Sequence, residues 1–307
     1  MVNTKELVIS RKKLPNGEQM AYRKYGHGPI QLILIHGNLS SSYFFHSFMD
    51  RWQDDFTMYA IDLIGFGDSS YGGFYREIDD WVEDVEFFIK DEGIETAMIA
   101  GWSAGGGIAM ELCARHPKIF SHLFLLASVG VKGYHKFSNK YYYKPSKVVK
   151  KTYIPSIQDF TDFGKRSLNK WKEMLDQSKQ TYGLLKEGIF DSFGSWFSDQ
   201  TENYLVASQK QKCFFEFTDA LFRFNITNET TNVVGNNNIA KIQCPVDWIH
   251  GDKDQVVPLE IAERSIEYFQ ETLGDQAKLH ILPGVNHGVF LEDTSLFDET
   301  FNHILYS

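Results

Sequence analysis

Ser103 stands between two glycines in Gly101-Trp102-Ser103-Ala104-Gly105. A serine hydroxyl is a weak nucleophile until a neighbouring base takes its proton and a third group orients that base. The pentapeptide has this chemistry in one setting, a tight turn between a strand and a helix. The flanking sequence supplies it. Ala97-Met98-Ile99-Ala100 is a short apolar run of the kind a buried strand shows. Gly106, Gly107, Ile108, Ala109, Met110, Leu112 and Cys113 follow at helical spacing, and Arg115-His116-Pro117 ends them. The turn forces Ser103 into a strained backbone conformation, and Gly101 and Gly105 lack the Cβ atoms that would collide across it. Ser103 then sits at a helix N-terminus, where N–H groups and the helix dipole favour nearby negative charge.

The surrounding elements alternate. Leu7-Val8-Ile9 and Met20-Ala21-Tyr22 flank Pro15-Asn16-Gly17 as a hairpin over residues 5–25. Gln31-Leu32-Ile33-Leu34-Ile35 is an apolar strand of the type covered on both faces, and it runs into His36-Gly37-Asn38. A helix is predicted from Ser41 to Trp52, a strand from Phe56 to Ile61, and a helix over 77–92 with Trp81, Val85, Phe88 and Ile89 on one face. Leu123 to Ala127 is the strand after the serine helix. Later come the strand Pro245 to His250, a helix from Leu259 to Leu273, the strand Ala277 to Leu282 and a last helix from Val289 to Leu305. The pattern is α/β, a mostly parallel sheet with helices on both faces. Between 131 and 238 the alternation stops. Trp171, Met174, Leu175, Phe214, Phe215, Phe217, Leu221 and Phe222 have helical spacing there, and the polar stretch Asn232 to Asn238 closes the region. These limits predict a core of residues 1–130 and 239–307 and an inserted helical lid, or cap, of residues 131–238.

Ligands bind at the C-terminal ends of strands in open α/β sheets. Four candidate groups share that edge: Ser103, Asn38, an acid (Asp252 or Asp254) in Gly251-Asp252-Lys253-Asp254-Gln255-Val256-Val257-Pro258, and His287 of Pro283-Gly284-Val285-Asn286-His287-Gly288.

With these residues the chain resembles the α/β-hydrolase superfamily, in its lidded branch of esterases, lipases, lactonases and C–C bond hydrolases. The matching residues are His36-Gly37-Asn38, Asp62-Leu63-Ile64-Gly65-Phe66-Gly67-Asp68-Ser69, Gly101 to Gly106, Gly251 to Asp254 with Val257-Pro258, and Asn286-His287-Gly288. They span nearly all of the chain outside 131–238. The resemblance implies that Ser103 is the nucleophile, that His287 takes its proton and returns it to the leaving group, and that Asp254 orients the imidazole. Asp252 competes for the last role or serves as a turn residue. It implies an oxyanion hole of the Asn38 and Ala104 backbone N–H groups, each worth about 3–4 kcal/mol of barrier. A neutral His287 implies activity that falls below about pH 6.5. No cofactor or metal is implied.

The implied reaction is hydrolysis of a carboxylic ester through an acyl-enzyme, with an aromatic lid favouring an apolar or aromatic small-molecule substrate. A lactone or a C–C bond substrate would use the same three residues. A peptidase would need an amine-binding carboxylate, for which Asp159, Asp162, Glu187, Asp191 and Glu216 are available. A non-catalytic ligand receptor on the same fold has no need of an intact triad. Serine in place of aspartate argues against epoxide hydrolases and haloalkane dehalogenases. Trp102 and Val256 are candidate pocket residues, Trp102 with packing beneath the turn as the alternative. His36 reads as a brace for its turn, Asp62 and Asp68 as loop scaffolding and Cys113 as core.

Composition sets the remaining bounds. At 307 residues the chain can bury a large core, and its net charge of −9 argues against general affinity for nucleic acid or anionic membrane. The start lacks an apolar signal segment and no apolar run spans a bilayer, so no stable membrane insertion is expected. Cys113, Cys213 and Cys244 make neither a metal spacing nor a disulfide framework, which fits a reducing cytoplasm. Asn225-Ile226-Thr227 is one of three chance matches to the glycosylation pattern. Residues 131–153 interleave seven lysines with tyrosine and phenylalanine and contain no acid. The plain reading is a solvated lid face with tyrosines packed inward; binding of phosphates, a lipid interface or an acidic substrate are the others. The oligomeric state is not encoded in these patterns.

Overall fold

The computed structural model describes residues 7–73, 75–134, 201–291 and 294–306. The first two strands, β1 (Ile9–Lys13) and β2 (Gln19–Tyr25), form the expected hairpin, with Ile9 opposite Arg23. The first strand begins at Ile9, two residues later than the apolar run suggests. β3 (Ile30–Ile35), β4 (Phe56–Asp62), β5 (Ala97–Trp102), β6 (Phe120–Leu126), β7 (Val246–Gly251) and β8 (Ala277–Leu282) complete an eight-stranded sheet ordered β1-β2-β4-β3-β5-β6-β7-β8. β2 is antiparallel to both of its neighbours, and every pairing from β4 to β8 is parallel.

Side chains alternate across a strand, so each central strand feeds two cores. Ile33 and Ile35 point into a cluster with Trp81, Val85 and Phe88 of α2 (Ile78–Asp91), Ile108 and Leu112 of α3 (Gly105–Arg115), and Ile266 and Phe269 of α6 (Leu259–Leu273). Leu32 and Leu34 join the opposite cluster. There Phe48 of α1 (His46–Arg51) meets Trp52, Phe290, and Phe297 and Phe301 of α7 (Thr294–Tyr306). Covering both faces is what a parallel sheet of this kind requires.

Two helical boundaries differ from the sequence reading. Ser42–Phe45 is a short 3-10 turn ahead of α1, with the Ser41 hydroxyl accepting from the Tyr43 N–H. The last helix starts at Thr294, because Leu291 bonds back to Gly288 in a turn; Val289, Phe290 and Leu291 are all buried, so apolar spacing could not separate turn from helix. β6 and β7 are neighbours in the sheet although residues 127–245 lie between them. Within that stretch the structure describes α4 (Thr201–Gln209) and α5 (Phe214–Arg223). Trp171, Met174, Leu175, the acids Asp159, Asp162, Glu187 and Asp191, and the lysine- and tyrosine-rich segment beyond Tyr134 lie outside the described residues.

The Asn-rich stretch is docked. Asn236 and Asn238 donate to the two carboxylate oxygens of the buried Glu111 on α3, at 2.8 and 2.6 Å. Asn225 is buried and its amide donates to the Glu229 carbonyl, which fits the chance reading of that glycosylation match. Cys113 and Cys244, far apart in sequence, lie within hydrogen-bonding reach, and all three thiols are free and buried.

Candidate active site

β5 delivers Ser103 to the strand edge, and α3 begins two residues later. Ser103 takes φ of 53°, the left-handed region that a residue with a side chain adopts at a cost. The surroundings impose it. The Ser103 N–H donates to the Leu126 carbonyl at 2.9 Å, and the Ser103 carbonyl accepts from Gly106 and Val129 at 3.0 and 2.9 Å. A Cβ on Gly101 would lie 2.6 Å from the Gly105 carbonyl oxygen, and one on Gly105 would run into the carbonyls of Ile35 and His36. The elbow therefore closes only with glycine at both positions. Ser103 is 7 % exposed.

The loop after β7 carries Asp254 and the loop after β8 carries His287, both buried. The His287 Nδ1–H donates to Asp254 Oδ2 at 2.7 Å. The other carboxylate oxygen accepts the backbone N–H groups of Val256 and Val257, each at 2.8 Å. Both Asp254 oxygens thus serve as hydrogen-bond acceptors, which assigns the ring proton to Nδ1 and the lone pair to Nε2. Trp102 ties this loop to the elbow: its Nε1–H donates to the His287 carbonyl at 3.1 Å, and the two rings are 5.6 Å apart. The competing acid, Asp252, accepts from the Gly284 N–H at 2.7 Å and meets Lys253 near solvent. It holds the start of the His287 loop; it is not the carboxylate bonded to the ring.

His250 was not singled out by sequence reasoning. It lies fully buried on β7, with Nε2 3.3 Å from Asp254 Oδ2. Trp248 Nε1–H donates to its Nδ1 at 3.1 Å, and its Nε2–H donates to the Val257 carbonyl at 2.8 Å. Burial drives its pKa down, against the pull of Asp254. A histidine in an apolar strand gives no local hint of this packing.

The Asn38 turn approaches the serine closely, since a Cβ on Gly37 would lie 2.7 Å from the Ser103 Cβ. The Gly37 carbonyl accepts from His36 Nδ1–H at 2.8 Å and from the Ser40 hydroxyl at 2.7 Å. The peptide is planar and trans, so fixing that carbonyl also fixes the Asn38 N–H in the opposite direction. His36 Nε2 accepts from the Leu63 N–H at 3.1 Å, and burial lowers the pKa of this ring too. His36 is a brace, as its position suggested. Asp62 accepts from the Ser42 N–H and hydroxyl and from the Asp68 N–H, and acts as scaffolding. The Asn38 and Ala104 N–H groups donate to no acceptor among the described residues.

Of the two pocket candidates, Trp102 is 2 % exposed and packs on Phe44 and Phe290, both 5.3 Å between ring centroids. Val256 is half-buried beside the acid. No group of three or more metal-ligating side chains occurs among the described residues. No helix among them is long and apolar enough to cross a membrane.

A family profile described as alpha/beta hydrolase fold matches residues 31–294. The chain is 26 % identical over 258 residues to Uncharacterized hydrolase YugF of Bacillus subtilis, covering 83 % of this chain and 84 % of that one. An esterase from Exiguobacterium antarcticum superposes with a TM-score of 0.70 at 17 % identity, covering 98 % of this chain and all of the other. A meta-cleavage product hydrolase superposes with a TM-score of 0.64 at 21 % identity, over 96 % and 97 %. The long profile match, the strained serine at the strand-to-helix turn and the strand order agree, and the chain belongs to the alpha/beta hydrolase family as one of its enzymes.

Proposed function

We propose that the protein is a serine hydrolase that cleaves a carboxylic ester through an acyl-enzyme. The observation that carries this reading is the buried His287–Asp254 pair, tied through Trp102 to the elbow that holds Ser103. In the proposed sequence Ser103 Oγ adds to the ester carbonyl carbon while its proton passes to His287 Nε2. The tetrahedral oxyanion is held by the Asn38 and Ala104 N–H groups. The C–O bond breaks, and the alcohol leaves with the proton from His287. Water then adds to the acyl carbon, giving a proton to His287; the acid departs as Ser103 recovers it.

The substrate in this reading is small and apolar or aromatic. An aromatic series supports that: Trp102 packs on Phe44, Phe44 on Tyr204 at 4.8 Å, and Tyr204 on the half-buried Tyr43 at 5.5 Å. The division into a core of 1–130 and 239–307 and a cap of 131–238 belongs to the proposal, supported by the adjacency of β6 and β7. So does a cytoplasmic setting, on the three free thiols.

The test is hydrolysis of p-nitrophenyl esters from C2 to C12 at pH 8 by wild type and Ser103→Ala. The expected result is turnover by wild type and none above background by the variant. Labelling of Ser103 by a fluorophosphonate without ester turnover would redirect the reading to a lactone or C–C bond substrate. Absence of both turnover and labelling would overturn it.

A further inference from the structure

The Asn38 turn is held from two sides, and only one belongs to the sheet. His36 and Ser40 hold the Gly37 carbonyl from the core side. On the other side stands Gln211, in the loop between α4 and α5. Its Oε1 accepts the Leu39 N–H at 2.7 Å, and its Nε2–H donates to Asn38 Oδ1 at 2.7 Å. Thr218 Oγ1 on α5 accepts from Asn38 Nδ2 at 3.2 Å. One carboxamide therefore bridges the backbone and the side chain of two consecutive turn residues. Leu39 takes φ of 50°, a conformation that needs outside support in a residue with a branched side chain.

The loop carrying Gln211 is itself fastened to the core on both sides of that residue. Lys210 Nζ meets Asp68 Oδ1 at 2.9 Å. The Lys212 N–H donates to the Gly65 carbonyl at 2.7 Å and its Nζ to the Ser69 carbonyl at 3.1 Å. Cys213 packs so closely on Gly65 that a Cβ there would lie 2.6 Å from its sulfur. Four consecutive residues of the β6–β7 connection thus seat on the two loops beside the serine.

We propose that Gln211 is a positioning residue for the oxyanion hole: it locks the Asn38–Leu39 turn and thereby aims the Asn38 N–H at the reacting carbonyl oxygen. This rests on the ester-hydrolase reading above. A donor must sit within hydrogen-bond range of the place where the oxyanion forms, and a turn free to rock loses that aim without losing substrate contacts. Gln211 does not touch the reacting atoms. Its effect falls on kcat rather than on KM.

The test uses the full-length enzyme and Gln211→Met, which keeps side-chain length and removes both hydrogen bonds. The readouts are kcat and KM on the best p-nitrophenyl ester, and hydrogen exchange of the peptide containing Leu39. Full loss of one oxyanion donor costs about a hundred- to a thousandfold, so a loosened one is expected to lower kcat about ten- to a hundredfold with KM within about threefold. Leu39 exchange is expected to rise about tenfold or more. Unchanged kcat in a folded variant overturns the proposal. If Gln211→Met does not fold, Thr218→Val decides: it cuts the Asn38 side-chain tie, and an unaltered kcat counts against the idea while a fall with constant KM supports it. If wild type turns over no ester, the ester reading fails separately. The exchange comparison then still decides the tie, with faster Leu39 exchange supporting it and equal exchange overturning it.

Discussion

The indole N–H of Trp102 donates to the backbone carbonyl of His287 at 3.1 Å, joining the residue before the serine to the residue bonded to Asp254. The contact crosses from the end of β5 to the loop after β8. Trp102→Phe keeps a ring against Phe44 and Phe290 and deletes this donor. Removing a buried partner costs about 1–2 kcal/mol. The variant is expected to melt at lower denaturant and to lose about tenfold in kcat, with KM less affected. Urea melts and steady-state kinetics check this. Unchanged kcat would show that the His287 loop keeps its register without the indole.

Residues that act as a unit show non-additive losses. Ser103→Ala and His287→Ala are each expected to lower kcat/KM by a factor on the order of 10⁴ or more, and the double variant should be scarcely worse than either. Independent roles would instead multiply. Kinetics of the three variants on one ester separate these outcomes. Asp254→Asn keeps the volume but offers an amide in place of the carboxylate that holds Nδ1–H, and a loss of similar order is expected.

The site was largely legible because its signals are local. A glycine-flanked serine between an apolar strand and a helix, an acid two residues before Val256-Val257, and a histidine after the last strand each announce themselves within a few residues. Choosing Asp254 over Asp252 rested on resemblance; in the structure it is Asp254 that carries the two backbone N–H groups and the ring. What the sequence hid are pairings across the chain. Gln211 meets Leu39, Cys113 meets Cys244, and Asn236 and Asn238 meet Glu111. None has a periodicity, and each exists only once the β6–β7 connection has folded back on the core. The late start of α7 was hidden differently, since a wholly buried turn has no polar face to reveal it.

Buried neutral histidines make stability sensitive to acid. Burial is the main cause of lowered pKa values for His36, next to Asp62, and for His250, next to Asp254 and His287. In the unfolded chain both rings titrate near about 6.5. Below that pH the unfolded state binds protons that the folded state refuses, so stability falls as pH drops through it. His250→Gln removes one such ring. Between pH 7.5 and 5.5 wild type is expected to lose about 1 kcal/mol more than this variant, from urea melts at each pH. Parallel slopes would show that His250 takes up its proton equally well in the fold.

Asp247, the second residue of β7, adds an acid-sensitive contribution of another kind, level in the sheet with Ala100 of β5. It bridges two histidines on the neighbouring strands, with His122 Nε2 at 2.7 Å and His280 Nε2 at 2.5 Å. His122 also stacks on Phe124 at 4.3 Å, which sets the ring's orientation. Burial pushes the Asp247 carboxyl up, but the hydrogen bonds and charges of the two imidazoles outweigh it and bring the pKa down to about 2. A depressed carboxyl stabilises the fold above its unfolded value of about 3.9, and that contribution drains away as pH falls toward 2. The size is about 2 kcal/mol. Asp247→Asn is expected to be less stable than wild type by this amount at pH 6, with the gap closing by pH 2. Unfolding free energies at pH 6, 4 and 2.5 read it directly. A gap that stays constant over that range would mean that packing and hydrogen bonding, and not the carboxylate charge, hold the three strands together at this point.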